Sequence, residues 1–192
     1  MMNETQALSI AVAEDSPGVR VAEALAFSFL IGLSAQARIY LPFTPVPITG
    51  QTLAVLAGGA MLGSGYGTLA VAFYLAEGIL GLPFFAGGGW GARHLFGPTA
   101  GYLLGFLPAA SLTGILAERG WSRTPAKAAA AACLGAIVVF ACGLAGLSAY
   151  LPAGRLLPAG LWPFVPGEAV KILCLAGLLP AWRAAADGMR GR

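Results

Sequence analysis

Glu168 and Lys171 stand near the start of the apolar stretch PGEAVKILCLAGLLPAW, residues 166–182. Three residues apart on a helix, a carboxylate and an ammonium share one face. Glu168 also falls in the first turn after Pro166 and Gly167, where the helix dipole favours an anion. Two readings follow. In one, the pair is an ion pair at the outer membrane interface, with Lys171 snorkelling to water. In the other, both side chains point into a helix bundle and hold a polar ligand; the cost of desolvating an intramembrane ion favours this second reading. A carboxylate accepts N–H groups and an ammonium donates to a carbonyl or carboxylate oxygen, so together they complement a small amide- or urea-like solute. Glu77, in YLAEGILGLP, is a further acid inside an apolar run. It reads either as a ligand group or as a carboxyl kept neutral or hydrogen-bonded to a neighbouring helix.

The elements that must position these groups are hydrophobic helices. The chain has 192 residues, 58% hydrophobic and only 10% charged, whereas a soluble domain carries about 25% charged residues. There is too little charge to cover a globule in water, so most of the outside must face a lipid bilayer. Continuous Ala/Leu/Gly runs argue against the alternating strands of an outer-membrane barrel. The fold class expected is therefore an all-α integral membrane protein, a six-transmembrane-helix bundle. With breakers and charges as punctuation, the spans fall near 21–37, 51–62, 68–82, 99–116, 126–150 and 167–182. Residues 1–19 are polar and acidic and show no signal-peptide pattern. The expected organisation is a polar cytoplasmic segment at 1–19, a six-helix transmembrane domain at 20–186 and a cytoplasmic tail at 187–192.

Charge orients the bundle. Of 11 basic residues, seven collect on one side: Arg20, Arg119, Arg123, Lys127, Arg183, Arg190 and Arg192. Arg38, Arg93 and Arg155 lie on the other side, and Lys171 is inside the last span. The positive-inside bias places both termini and the loop ERGWSRTPAK in the cytoplasm, with the Pro/Gly-rich loops facing outward. The turn GSGYG is minimal, whereas the outer loops are long and rich in aromatics and glycine; such loops commonly form lids or binding surfaces. A pocket open to the outside and roofed by them is expected. Cys133, Cys142 and Cys174 lie in apolar runs without a CxxC, which reads as small buried hydrophobes and not as a disulfide or zinc framework. A net charge of +3, dispersed along the chain, does not make a nucleic-acid surface.

The blocks PFTPVPITGQTLAVLAGGAMLG, YLAEGILGLPFFAGG, GPTAGYLLGF and PFVPGEAVK, in that order and spacing, resemble the BioY family. These are substrate-binding S components of energy-coupling factor (ECF) vitamin transporters, and the resemblance covers nearly the whole chain. It implies capture of biotin from outside the cytoplasmic membrane, with biotin the transported ligand and no cofactor. It also implies a transmembrane coupling subunit and two ATPase subunits as partners, which some relatives are held to dispense with. The family carries an acid and a lysine three apart at the start of span six; here these are Glu168 and Lys171, with Glu where Asp is common. By the same resemblance, Thr49, Gln51, Phe85, Gly87 and Gly88 are candidate pocket residues. Arg93 is a candidate for the ligand carboxylate or else an exposed loop charge. Tyr102 and Tyr150 are read as capping residues or as members of the interfacial aromatic belt.

The chain lacks a GxxxxGK[ST] loop, so energy must come from partners. Span one offers Ala24, Ser28 and Gly32 at four-residue spacing, with Ala22 and Ala26 as a second small pair. Such ridges allow close helix packing in lipid, either within the bundle or, as the resemblance implies, for docking the coupling subunit. Rival readings are an S component for another vitamin, a channel or scaffold subunit, and an intramembrane enzyme acting on a small amide-like substrate. The last needs a nucleophile and a base, and the single histidine, His94, has no obvious serine partner and no HExxH. His94 is read as a loop residue, and the chain as a binder, not an enzyme.

Overall fold

The computed structural model describes residues 16–190, with side chains through 188. Most of the polar segment expected at 1–19, and Arg192 with the end of the expected tail, lie outside the described residues.

Helix α1 spans Pro17–Ser34. It begins four residues before the expected Val21 because Ser16 caps it: the hydroxyl oxygen accepts from the Val19 backbone N–H at 3.3 Å, and Pro17 occupies the first turn, where a missing N–H costs nothing. A small antiparallel hairpin follows, β1 (Arg38–Ile39) paired with β2 (Ile48–Thr49), with Arg38 opposite Thr49. Then come α2 (Gln51–Ile79), α3 (Ala100–Glu118), α4 (Pro125–Leu147), α5 (Ala153–Gly160) and α6 (Val165–Arg190). Short 3₁₀ turns at Ala92–Phe96 and Trp121–Arg123 precede α3 and α4 respectively.

Five of these helices are long and apolar enough to cross a membrane, α5 being the exception. Helix α2 supplies two of the six expected spans. It is broken at Gly63, whose φ of 84° and ψ of 174° lie outside helical space and in a region that disfavours any side chain. The chain reverses there: a Cβ on Gly67 would stand 2.6 Å from the Gly59 Cα, a contact impossible along one straight helix. Glu118 secures the turn, its Oε1 accepting from the Ser64 N–H (2.6 Å) and hydroxyl (2.9 Å).

Helix α3 packs against α2 and α4, and α6 against α4 and α2. At the α3–α4 crossing Gly101 and Gly146 touch backbone to backbone, a Cβ on Gly146 standing 2.8 Å from the Gly101 Cα; small residues at such crossings let helices in lipid approach closely. The core centres on Tyr74, Phe85, Leu56 and Val139. Large apolar side chains such as Phe29, Leu33, Ile137 and Leu173 are exposed on helix faces, as a lipid-facing surface requires.

Several details differ from expectation. Helix α5 was expected to be loop; its Ala159 and Gly160 are buried. Helix α6 runs past Trp182 to Arg190, helped by the i,i+4 pair Arg183–Asp187 at 3.6 Å. Cys133 and Cys174 are exposed on helix faces, not buried. Of the small residues on α1, Ala24, Ser28 and Gly32 are buried, so they pack within the bundle and are not free to dock a partner. The Phe84 ring lies on Gly32, where a Cβ would stand 2.6 Å from it. Ala22 and Ala26 remain exposed.

Candidate functional site

A cavity of about 400 Å³ opens between the hairpin, the start of α2, the 85–99 loop and the start of α6. That is within the range of small-molecule sites.

At one end three polar side chains close a triangle. Lys171 Nζ donates to Glu168 Oε2 at 3.0 Å and to Thr52 Oγ1 at 2.7 Å, while the Thr52 hydroxyl donates to Glu168 Oε2 at 2.9 Å. Glu168 is held in the first turn of α6, its backbone N–H donating to Phe164 O at 2.9 Å. Thr52 sits in the first turn of α2, which the Pro-rich hairpin delivers to this place: Gly50 N–H donates to Ser34 O and Ala37 O. Glu168 and Thr52 are buried, and the Lys171 side chain is only 16% exposed. Glu168 Oε1 is also buried and has no hydrogen-bond partner among the described residues. A buried acceptor without a donor is costly, so this atom is suited to an incoming N–H group. Lys171 spends two of its three donors within the triangle.

Gln51 extends the polar edge. Its Nε2 donates to the Tyr74 hydroxyl at 2.5 Å and its Oε1 accepts from Thr49 Oγ1 at 3.1 Å. Tyr74 begins an aromatic wall: it meets Phe85 edge-on at 5.7 Å, and Phe85 meets His94 at 5.1 Å. Gly78 makes the seat for Phe85, since a Cβ there would stand 2.5 Å from the ring. A second aromatic wall is a cluster of Tyr102, Phe140 and Phe164 with centroids 6.1–6.4 Å apart. It is fixed by the Tyr102 hydroxyl donating to Gly160 O at 2.7 Å. Arg93 and His94 also line the cavity.

The structure therefore brings together six of the expected site residues: Glu168, Lys171, Gln51, Thr49, Phe85 and Arg93. Four others do not line the cavity. Glu77 is half-buried, with Oε2 unpartnered among the described residues; beside it, Gly78 gives the Phe85 ring its seat, and the ring, not the carboxyl, reaches the cavity. Gly87 and Gly88 shape the loop behind Phe85, at φ of 82° and 70°. Tyr150 is exposed and donates to Phe96 O.

Sequence reasoning missed Thr52, which lies inside the quoted VPITGQT block next to Gln51. It also left Tyr102 open between capping and the membrane belt, and it gave His94 only as a loop residue, which it is. His94 carries a buried Nδ1 with no partner among the described residues, and its place directly after Arg93 was the available signal. Among the described residues no group of three His, Cys, Asp or Glu side chains is placed to hold a metal ion.

The cavity thus joins a polar triangle, aromatic walls and the Arg93–His94 loop, and the chain that builds it resembles known proteins in sequence and fold. A sequence model of the BioY family matches residues 5–188. The chain belongs to the BioY family. Curated members similar to it are the biotin transporter BioY of Rhodobacter capsulatus, 42% identical over 164 residues, and that of Thermotoga maritima, 40% identical over 141. Those matches cover 75% and 73% of this chain and 86% and 82% of the relatives. A solved S-component for biotin from an ECF-type ABC transporter superposes with a TM-score of 0.79 at 26% identity, over 96% of this chain and 95% of that one. The chain is thus an all-α, multi-pass membrane protein of a transporter family.

Proposed function

We propose that this protein captures biotin and delivers it across the cytoplasmic membrane as the S component of an ECF transporter. The observation that carries this reading is the pairing of Glu168 Oε1, buried and unpartnered among the described residues, with Lys171 in one cavity. Biotin's ureido ring has N–H donors for the carboxylate and a carbonyl oxygen for the remaining Lys171 donor. Its thiophane ring and tail are apolar and match the walls built on Phe85 and Tyr102. Arg93 is the group that meets the ligand carboxylate, with Thr49, Gln51 and Thr52 completing the ureido end.

In this reading both termini are cytoplasmic, as the distribution of basic residues favours, and the hairpin and 85–99 loops face outward. A transmembrane coupling subunit docks on the exposed side of α1, at Ala22 and Ala26, and two ATPase subunits supply the energy. Reconstitution in vesicles, with and without the ATPase module, tests it. The expected result is saturable biotin uptake on the outward side and recovery of unaltered biotin by mass analysis. Absence of biotin binding by the purified protein overturns the assignment.

A further inference from the structure

Gln36 lies two residues past the end of α1, and its side chain reaches across to the loop that carries Phe85. Nε2 donates to Pro83 O at 3.2 Å, Phe85 O at 3.3 Å and Gly32 O at 3.2 Å. Oε1 accepts from the Gly88 N–H at 3.0 Å and from Arg38 Nη1 at 3.3 Å. Both ends of one amide are therefore engaged, and among the described residues Gln36 supplies the side-chain hydrogen bonds that join this loop to α1.

The loop needs such a fastening. Its other bonds hold it on itself and to the end of α2, not to α1: Phe85 and Gly89 exchange N–H to carbonyl bonds at 3.0 and 3.2 Å, and Gly91 N–H donates to Gly78 O at 2.8 Å. The turn between them uses Gly87 and Gly88 at positive φ. The two carbonyls that Gln36 holds flank Phe84, and this fixes a division of labour. The Phe84 ring lies on Gly32 and edge-on to Phe29 at 5.1 Å. The next ring, Phe85, turns the other way, into the cavity.

We propose that Gln36 is a positioning residue that fastens the Phe85 wall of the cavity to α1, and thereby sets how long a bound ligand stays more than whether it is recognised. Gln36 does not itself line the cavity. The loop swings open when its bonds to Pro83, Phe85 and Gly88 break, and these are the bonds a departing ligand must wait for. This rests on the cavity being the biotin site.

The test is stopped-flow biotin binding to the purified full chain and to Gln36→Leu, with hydrogen exchange of both proteins free of ligand. Losing several part-buried hydrogen bonds at once is expected to speed dissociation about tenfold, with association unchanged or faster. Exchange at Gly88 and Gly89 is expected to quicken by a similar factor, while amides around Tyr74 keep their rates. Gln36→Glu, which keeps an acceptor for Gly88 but no donor for the two carbonyls, is expected to behave likewise and serves if the leucine variant folds poorly. Unchanged dissociation, or a loss of affinity carried wholly by slower association, overturns the inference. If the parent chain binds no biotin, the functional reading fails, and the exchange rates alone decide whether Gln36 fastens the loop: equal rates overturn it.

Discussion

Thr52 and Glu168 stand 116 residues apart in the chain and are joined by a 2.9 Å hydrogen bond inside the bundle. The same threonine oxygen accepts from Lys171 at 2.7 Å, so one hydroxyl ties the start of α2 to both ions of α6. Thr52→Val keeps the branched shape and removes the hydroxyl, depriving Glu168 of a donor and Lys171 of an acceptor. The variant is expected to fold and to bind biotin about tenfold or more weakly, since hydrogen bonds to charged groups are the costlier ones to lose. Equilibrium binding to both proteins measures it.

Lys171→Met is expected to destabilise the protein by about 3 kcal/mol, because it strands a buried carboxylate. The double variant Glu168→Gln/Lys171→Met removes both charges. It is expected to recover much of that stability while still failing to bind biotin. Thermal unfolding in detergent beside ligand binding separates the two roles.

Gly78→Ala tests the aromatic wall without touching a polar group. The new Cβ would meet the Phe85 ring at 2.5 Å and push it toward the ligand space. Overpacking of this kind costs about 1–3 kcal/mol, and biotin affinity is expected to fall with it. Titration of the variant against the parent provides the check.

Gly63→Ala addresses the reversal of α2, far from the ligand. At φ 84° and ψ 174° a side chain is strained, at about 1–3 kcal/mol, and its Cβ would also stand 2.8 Å from Glu118 Oε1. The expected outcome is a lower melting temperature with biotin affinity retained, read by thermal unfolding and calorimetry.

The sequence made some of this legible for physical reasons. Glu168 and Lys171 stood out because ions are rare in an apolar helix and their spacing put them on one face. The break near GSGYG was visible because glycine is the residue a reversal needs, and the Pro/Gly-rich loops announced a structured roof. Thr52 was not legible, because a threonine at a helix start is ordinary and its partners are more than a hundred residues away. His94 and Tyr102 were not marked as cavity-lining for a similar reason: only the packing of Phe85 on one and Phe164 on the other turns them toward the cavity. The small-residue spacing on α1 was real, but spacing does not say which face looks inward. The buried face turned out to hold Ala24, Ser28 and Gly32.

The most direct measurement is calorimetry of biotin with the purified protein and with Glu168→Gln. The account predicts saturable binding by the parent and a loss of about 30-fold or more in the variant, the effect of disarming one member of a buried charged pair. Equal affinity in the two proteins would contradict the claim that this carboxylate receives the ligand.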